Sequence, residues 1–171
     1  MARVYVGIGS NIERARHVTA ALDALADAFG ELRVSTVFES EAVGFDGSPF
    51  YNLVAGFDTA LGVGELSRTL KTIEDRNGRC RQGPKFSGRT LDIDILTYDD
   101  LSGSHDGIEL PRAEILKNAF VLQPLAEIAP QERHPVDGRS YAELWDAYDK
   151  QKQRLWPVKF FWRGELISRT G

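Results

Sequence analysis

Residues 91–95 read Leu91-Asp92-Ile93-Asp94-Ile95, a strict alternation of apolar and acidic side chains. Only an extended strand sorts such a pattern onto two faces, because successive side chains point to opposite sides. Leu91, Ile93 and Ile95 form one face, which belongs in a core. Asp92 and Asp94 share the other, with Cα atoms about 7 Å apart at a rise of ~3.3 Å per residue. A chain containing this strand must build a sheet that packs one face and carries a carboxylate pair on the other.

The flanking segments say which sheet. Arg3 to Gly9 alternates and is β-rich, so it is expected as a strand that Ser10-Asn11 breaks. Val18, Ala21, Leu22, Leu25 and Phe29 recur at helical spacing, and Gly30 closes that helix. Leu32 to Ser40 is β-branched and predicts a second strand, Glu41 to Pro49 a loop, and Phe50 to Thr59 a third strand. Leu66, Leu70 and Ile73 predict a helix from about Gly64 to Asn77, with Gly78 as its terminating residue. Gln82 to Gly88 is a polar loop that leads into the acidic strand. Phe120 to Ala129 is apolar and expected to be helical despite Pro124, and Ser140 with Glu143 predicts a capping box opening a last helix. The order β-α-β-β-α-β followed by more helix indicates an α+β class, a ferredoxin-like antiparallel sheet with helices on its faces. The expected division is a domain over 1–149 and a basic, aromatic extension over 150–171.

Charge is unevenly distributed. Arg76, Arg79, Arg81, Lys85 and Arg89 occur between 76 and 89 without an acid. Asp92, Asp94, Asp99, Asp100, Asp106 and Glu109 follow between 90 and 109 without a Lys or Arg. The extension carries six Lys or Arg against Glu165 alone. The net charge of −4 argues against a general nucleic-acid binder. The 171 residues suffice for one domain with its own core. No apolar run approaches the ~18–20 residues of a membrane span, and the first residues lack a signal-peptide pattern. The single cysteine, Cys80, excludes a disulfide framework and a cysteine-built zinc site, and it fits a reducing cytoplasm.

Two carboxylates on one strand face suit hard cations such as Mg²⁺, which takes one or two carboxylates together with substrate phosphates. A basic loop beside them suits the phosphate oxygens themselves. The bland alternative is a half-exposed acidic strand neutralised by Arg79 and Arg89. Metal–polyphosphate chemistry accounts for both charge blocks at once. Gly7-Ile8-Gly9 lacks the third glycine of a dinucleotide fingerprint, and no phosphate-binding GxxxxGK[ST] loop occurs. His17, His105 and His134 show no ligand spacing.

Several stretches carry a family resemblance. They are Val6-Gly7-Ile8-Gly9-Ser10-Asn11, Phe50-Tyr51-Asn52, Ile73-Glu74, Gly78-Arg79-Cys80-Arg81, and above all Gly88-Arg89-Thr90-Leu91-Asp92-Ile93-Asp94-Ile95. Leu110-Pro111, Asn118-Ala119-Phe120-Val121-Leu122 and the run from Pro124 to Pro130 complete the set. Together they resemble the 6-hydroxymethyl-7,8-dihydropterin pyrophosphokinase family over about residues 3–145. The resemblance implies transfer of pyrophosphate from ATP to the pterin hydroxymethyl group in folate biosynthesis, with release of AMP. It implies Asp92 and Asp94 as ligands of two Mg²⁺ ions, and Arg79 and Arg89 as catalytic arginines on the triphosphate. It puts Glu74, Arg81 and Lys85 on the nucleotide side, where Arg112 is also expected. It puts Val43, Phe50, Asn52 and Phe120 at the pterin, which suits stacking and amide hydrogen bonds.

The sequence departs from that family at Arg112 for a usual histidine, Asn118 for an arginine, Phe86 for a tryptophan, Ser87-Gly88 for Gly-Pro, and Phe50 for a frequent tyrosine. Arg112 is the expected replacement for the charge missing at Asn118. The alternative activity is a paralogue with weak or absent transfer that binds a pterin-like ligand or a protein. Residues 155–162, Leu-Trp-Pro-Val-Lys-Phe-Phe-Trp, are expected to pack on their own domain or on a second copy, giving a homodimer.

Overall fold

The computed structural model describes residues 1–40, 49–78 and 91–168. Val43, Arg79, Arg81, Lys85 and Arg89 lie outside the described residues, as do the expected loop over 82–88 and all but Pro49 of the expected loop over 41–49.

Strand β1 (Ala2–Ser10) lies inside the sheet, and both its faces are packed: Val4, Val6 and Ile8 on one side, Tyr5 on the other. Helix α1 (Arg14–Phe29) buries Val18, Ala21, Leu22 and Leu25 and stops at Gly30, whose φ of 83° favours glycine. The stretch expected as one strand over 32–40 forms two pieces, β2 (Arg33–Val34) and β3 (Val37–Ser40). The break has a cause. Buried Ser35 accepts the Val54 N–H with its hydroxyl at 2.9 Å, and Thr36 donates both its N–H and its hydroxyl to the Glu127 carboxylate at 2.7 and 2.6 Å. Those side chains take over ladder positions that a continuous strand would have used.

Strand β4 (Phe50–Thr59) and helix α2 (Val63–Arg76) follow, and Gly78 has the positive φ of 78° expected after a helix end. Strand β5 (Asp92–Tyr98) comes next, then a small hairpin of β6 (Gly103–His105) and β7 (Ile108–Leu110). Helices α3 (Glu114–Lys117), α4 (Ala119–Ile128) and α5 (Tyr141–Ala147) complete the helical part, and α5 opens with the Ser140–Glu143 capping box. The sheet order is β5-β1-β4-β3, antiparallel throughout, which is the ferredoxin-like arrangement of β1-α1-β3-β4-α2-β5. Helices α1 and α2 cover one face; α4 and α5 cover the other.

The segment beyond residue 149 completes the same body. Strand β8 (Leu155–Val158) pairs antiparallel with β3, and Phe160 is buried in the core under α1 and α2. A hairpin of β9 (Phe161–Trp162) and β10 (Glu165–Leu166) leans on α1, where Trp162 Nε1 and Arg163 Nε donate to Asp23 Oδ1 at 2.9 and 3.0 Å. Ser168 closes the path by accepting the Val37 N–H at 2.9 Å. Pro157 sits in the new edge strand, where its missing N–H blunts further strand pairing.

Candidate active site

Strand register assembles the site. Gly9 of β1 lies opposite Asp92 of β5 on one side and Asn52 of β4 on the other, and Phe38 of β3 lies opposite Asn52. Side chains paired across a sheet share a face. Asp92, Gly9, Asn52 and Phe38 therefore form one row, and Asp94, Gly7 and Val54 form the next. Two strand spacings, about 10 Å, separate the backbones of Asp92 and Asn52. This is the face on which α4 and α5 pack further along, through Val54 and Leu96.

Gly9 keeps the middle of the row open. A Cβ there would stand 3.2 Å from Asn52 Oδ1 and 3.8 Å from Phe50 Cδ1. The Asn52 amide is buried, and its Nδ2 donates to Ser40 Oγ at 2.7 Å, which fixes its orientation. Phe50 begins β4, two residues before Asn52 and on the same face. Phe120 stands in the first turn of α4, half-buried against the cluster that contains Val54 and Leu96.

The acidic end is built on an edge strand. β5 has β1 on one side only, and Glu74 of α2 approaches from the other. The buried Glu74 carboxylate accepts the Ile93 N–H at 2.7 Å, between the two aspartates. Burial and the neighbouring Asp92 push the Asp94 carboxyl up to about 6, against the pull of Arg112. Arg112 Nη2 is 3.7 Å from Asp94 Oδ1, while its Nε is 2.7 Å from Glu114 Oε2. Its backbone N–H donates to Leu96 O at 2.9 Å, which ties Arg112 to the strand of the aspartates. A cavity of about 190 Å³ lies here, lined by Lys71, Glu74, Asp92, Asp94 and Arg112 among others.

Burial first, and then repulsion from Asp92, Glu74 and Glu114, put an electrostatic penalty on the ionised Asp94. A divalent cation would relieve it. Among the described residues no group of three or more His, Cys, Asp or Glu could hold a metal. A carboxylate pair alone suits a hard cation that keeps water and substrate oxygens in its shell.

The structure thus brings Asp92, Asp94, Glu74 and Arg112 together at one end of the row, and Asn52 and Phe50 at the other. The Arg112 guanidinium faces Asp94 and Glu114, and Asn118 Oδ1 accepts from Gln153 Nε2 at 2.7 Å. Ser40 and Gln153 went unnoticed in the sequence, since a polar residue at a strand end or in a polar tail signals no partner. Gly9 was visible as part of a motif, but only the register shows what it leaves room for.

A family model described as 7,8-dihydro-6-hydroxymethylpterin-pyrophosphokinase (HPPK) matches residues 5–130. The chain belongs to the HPPK family. An HPPK relative from Pseudomonas aeruginosa, named 2-amino-4-hydroxy-6-hydroxymethyldihydropteridine pyrophosphokinase, is 40% identical over 147 residues, covering 83% of this chain and 89% of that one. One of the same name from Aquifex aeolicus is 36% identical over 138 residues, covering 80% of this chain and 86% of its own. A solved structure of Plasmodium falciparum HPPK-DHPS superposes with a TM-score of 0.75 at 12% identity, covering 96% of this chain and 48% of that one. The chain thus spans about half of that fused protein, and this likeness bears on the HPPK fold alone.

Proposed function

We propose that this chain transfers the terminal pyrophosphate of ATP to the hydroxymethyl oxygen of 6-hydroxymethyl-7,8-dihydropterin, in folate biosynthesis. The observation that carries it is the row Asp92–Gly9–Asn52. It sets a carboxylate pair suited to a metal-bound polyphosphate two strands from a buried, oriented amide suited to a heterocycle edge. The hydroxymethyl oxygen forms a bond to the β-phosphorus and releases its proton. The bond from that phosphorus to the bridging oxygen breaks, and AMP leaves with the electron pair.

Little covalent help is needed for such a transfer; positioning and charge neutralisation supply most of the rate. Asp92 and Asp94 would hold two Mg²⁺ ions, which when bound neutralise the triphosphate. Glu74 fixes the strand between them through Ile93, and Arg112 adds positive charge on the nucleotide side. Arg79 and Arg89, with Arg81 and Lys85 from the same segment, are assigned to the triphosphate by the family motif. Asn52 reads the pterin edge, Phe50 and Phe120 stack on its plane, and Val43 offers backbone groups.

A paralogue without transfer activity is the weaker reading, since relatives named as pyrophosphokinases match at 36% and 40% identity over most of the chain. No helix among the described residues is long and apolar enough to cross a membrane, and dependence on ATP fits the cytoplasm. Trp156, Phe161 and Leu166 are the exposed large apolar residues of the last segment, and a homodimer would form there.

The test is AMP release from Mg²⁺-ATP with and without 6-hydroxymethyl-7,8-dihydropterin. Pterin-dependent AMP is expected, together with a loss of at least ~10²-fold in Asp92→Ala at an unchanged melting temperature. Absence of pterin-dependent AMP in the unmodified protein would overturn the proposal.

A further inference from the structure

We infer that Gln153 is a positioning residue that sets Phe120 against Asn52 and thereby tunes pterin affinity. This rests on the reading of Phe120 and Asn52 as pterin contacts.

The first turn of α4 is poorly held by its own helix. The first N–H groups of any helix lack an internal acceptor. Asn118, at the N-cap, makes no capping bond with its side chain. Pro124, inside the helix, lacks the N–H that would bond the carbonyl of Phe120 one turn earlier. The turn that carries Phe120 is therefore short of bonds at both ends.

Gln153 supplies what is missing. Its Oε1 accepts the Ala119 N–H at 2.8 Å, and its Nε2 donates to Asn118 Oδ1 at 2.7 Å. The orientation of the amide follows, because a backbone N–H can only donate, so the oxygen must face it. Ala119 is the residue before Phe120. A second contact braces the same junction, where the Tyr148 hydroxyl donates to Lys117 O at 2.7 Å.

Two residues further along, the chain reaches the other side of the pocket. Leu155 pairs with Ser40, and Ser40 Oγ accepts the Asn52 amide at 2.7 Å. Gln153 lies two residues before Leu155, the first residue of β8, so the two are at most about 7 Å apart. One short strap thus touches the turn before Phe120 and the residue that orients Asn52. The spacing between the stacking ring and the reading amide is set by a segment that neither of them belongs to.

The test is steady-state kinetics on Gln153→Ala, with pterin and ATP varied in turn. The pterin KM should rise about three- to tenfold, as loss of a modest hydrogen bond implies, with kcat and the ATP KM unchanged. Gln153→Glu keeps the acceptor for Ala119 and loses the donor to Asn118, so it should fall between the two. Arg163→Ala, which releases the Asp23 contact elsewhere in the same segment, should lower the melting temperature and leave the pterin KM alone. A Gln153→Ala enzyme with the original pterin KM, or with both KM values raised together, overturns the positioning role while the pyrophosphokinase reading stands. An unmodified protein without pterin-dependent AMP release overturns that reading, and the positioning role with it.

Discussion

Glu74 Oε2 accepts the Ile93 N–H at 2.7 Å, so a buried side chain from α2 does for this edge of the sheet what a further strand would have done. The bond falls between Asp92 and Asp94 and fixes the backbone from which both project. Glu74→Ala should leave a buried N–H unsatisfied and cost about 1–3 kcal/mol. Glu74→Gln retains a carbonyl acceptor and should cost less than half of that. Urea denaturation of the two variants measures the difference, and equal losses would mean that the charge, rather than the acceptor, matters there.

Asp94 gives the site a pH dependence. Burial, then repulsion from Asp92, raise its carboxyl from the ordinary 3.8 to about 6, with Arg112 opposing. A raised acid binds its proton more tightly in the folded chain than in the unfolded one. Stability of the metal-free protein should therefore decline as pH rises from 3.8 to about 6, and level off above. Metal affinity runs the other way, because the proton and the cation compete for one carboxylate. Calorimetric titration of Mg²⁺ should show affinity rising as pH passes through about 6. Asp94→Asn should abolish that slope. A slope that survives in Asp94→Asn would assign the titration to another group.

Gly9 is predicted to be intolerant of a side chain. The Cβ of Gly9→Ala would stand 3.2 Å from Asn52 Oδ1, close enough that the amide must shift. The shift would strain the Ser40 bond that orients the amide. The pterin KM should rise about tenfold in Gly9→Ala, and further in Gly9→Val. Pterin binding followed by calorimetry reads this directly. Unchanged binding in Gly9→Ala would show that the amide has room to retreat.

The acidic strand was legible because period-two alternation is a local property, and Ile93 and Ile95 do face the core while Asp92 and Asp94 do not. Phe50–Thr59 was legible to the residue for the same reason. The stretch over 32–40 breaks in two, because β propensity at Ser35 and Thr36 says nothing of the Val54 N–H that bonds the Ser35 hydroxyl, or of Glu127, far along the chain, which accepts from Thr36. The carboxylate pair could be read from its strand alone. Its partnership with Asn52 depends on Gly9 pairing with both neighbours, a register between strands distant in sequence. Gln153 was out of reach on the same ground, since its clamp on Ala119 exists only once the last segment has folded back.

That last segment is proposed to be part of the domain's stability rather than an appendage to it. Phe160 is buried at 6% exposure in the core formed with α1 and α2, and meets Tyr51 edge-on with ring centres 6.3 Å apart. Phe161, its neighbour in sequence, is 57% exposed. Phe160→Ala should cost about 3–5 kcal/mol, as for other large core aromatics. Phe161→Ala should stay within about 0.5 kcal/mol of the unmodified protein. Thermal denaturation of the pair separates the two alternatives for residues 150–171. A large loss confined to Phe160→Ala means that the segment is held from within by the core. Comparable small losses in both would mean that it adds little to the fold it covers, and the strap through Gln153 would then be anchored by β8 alone.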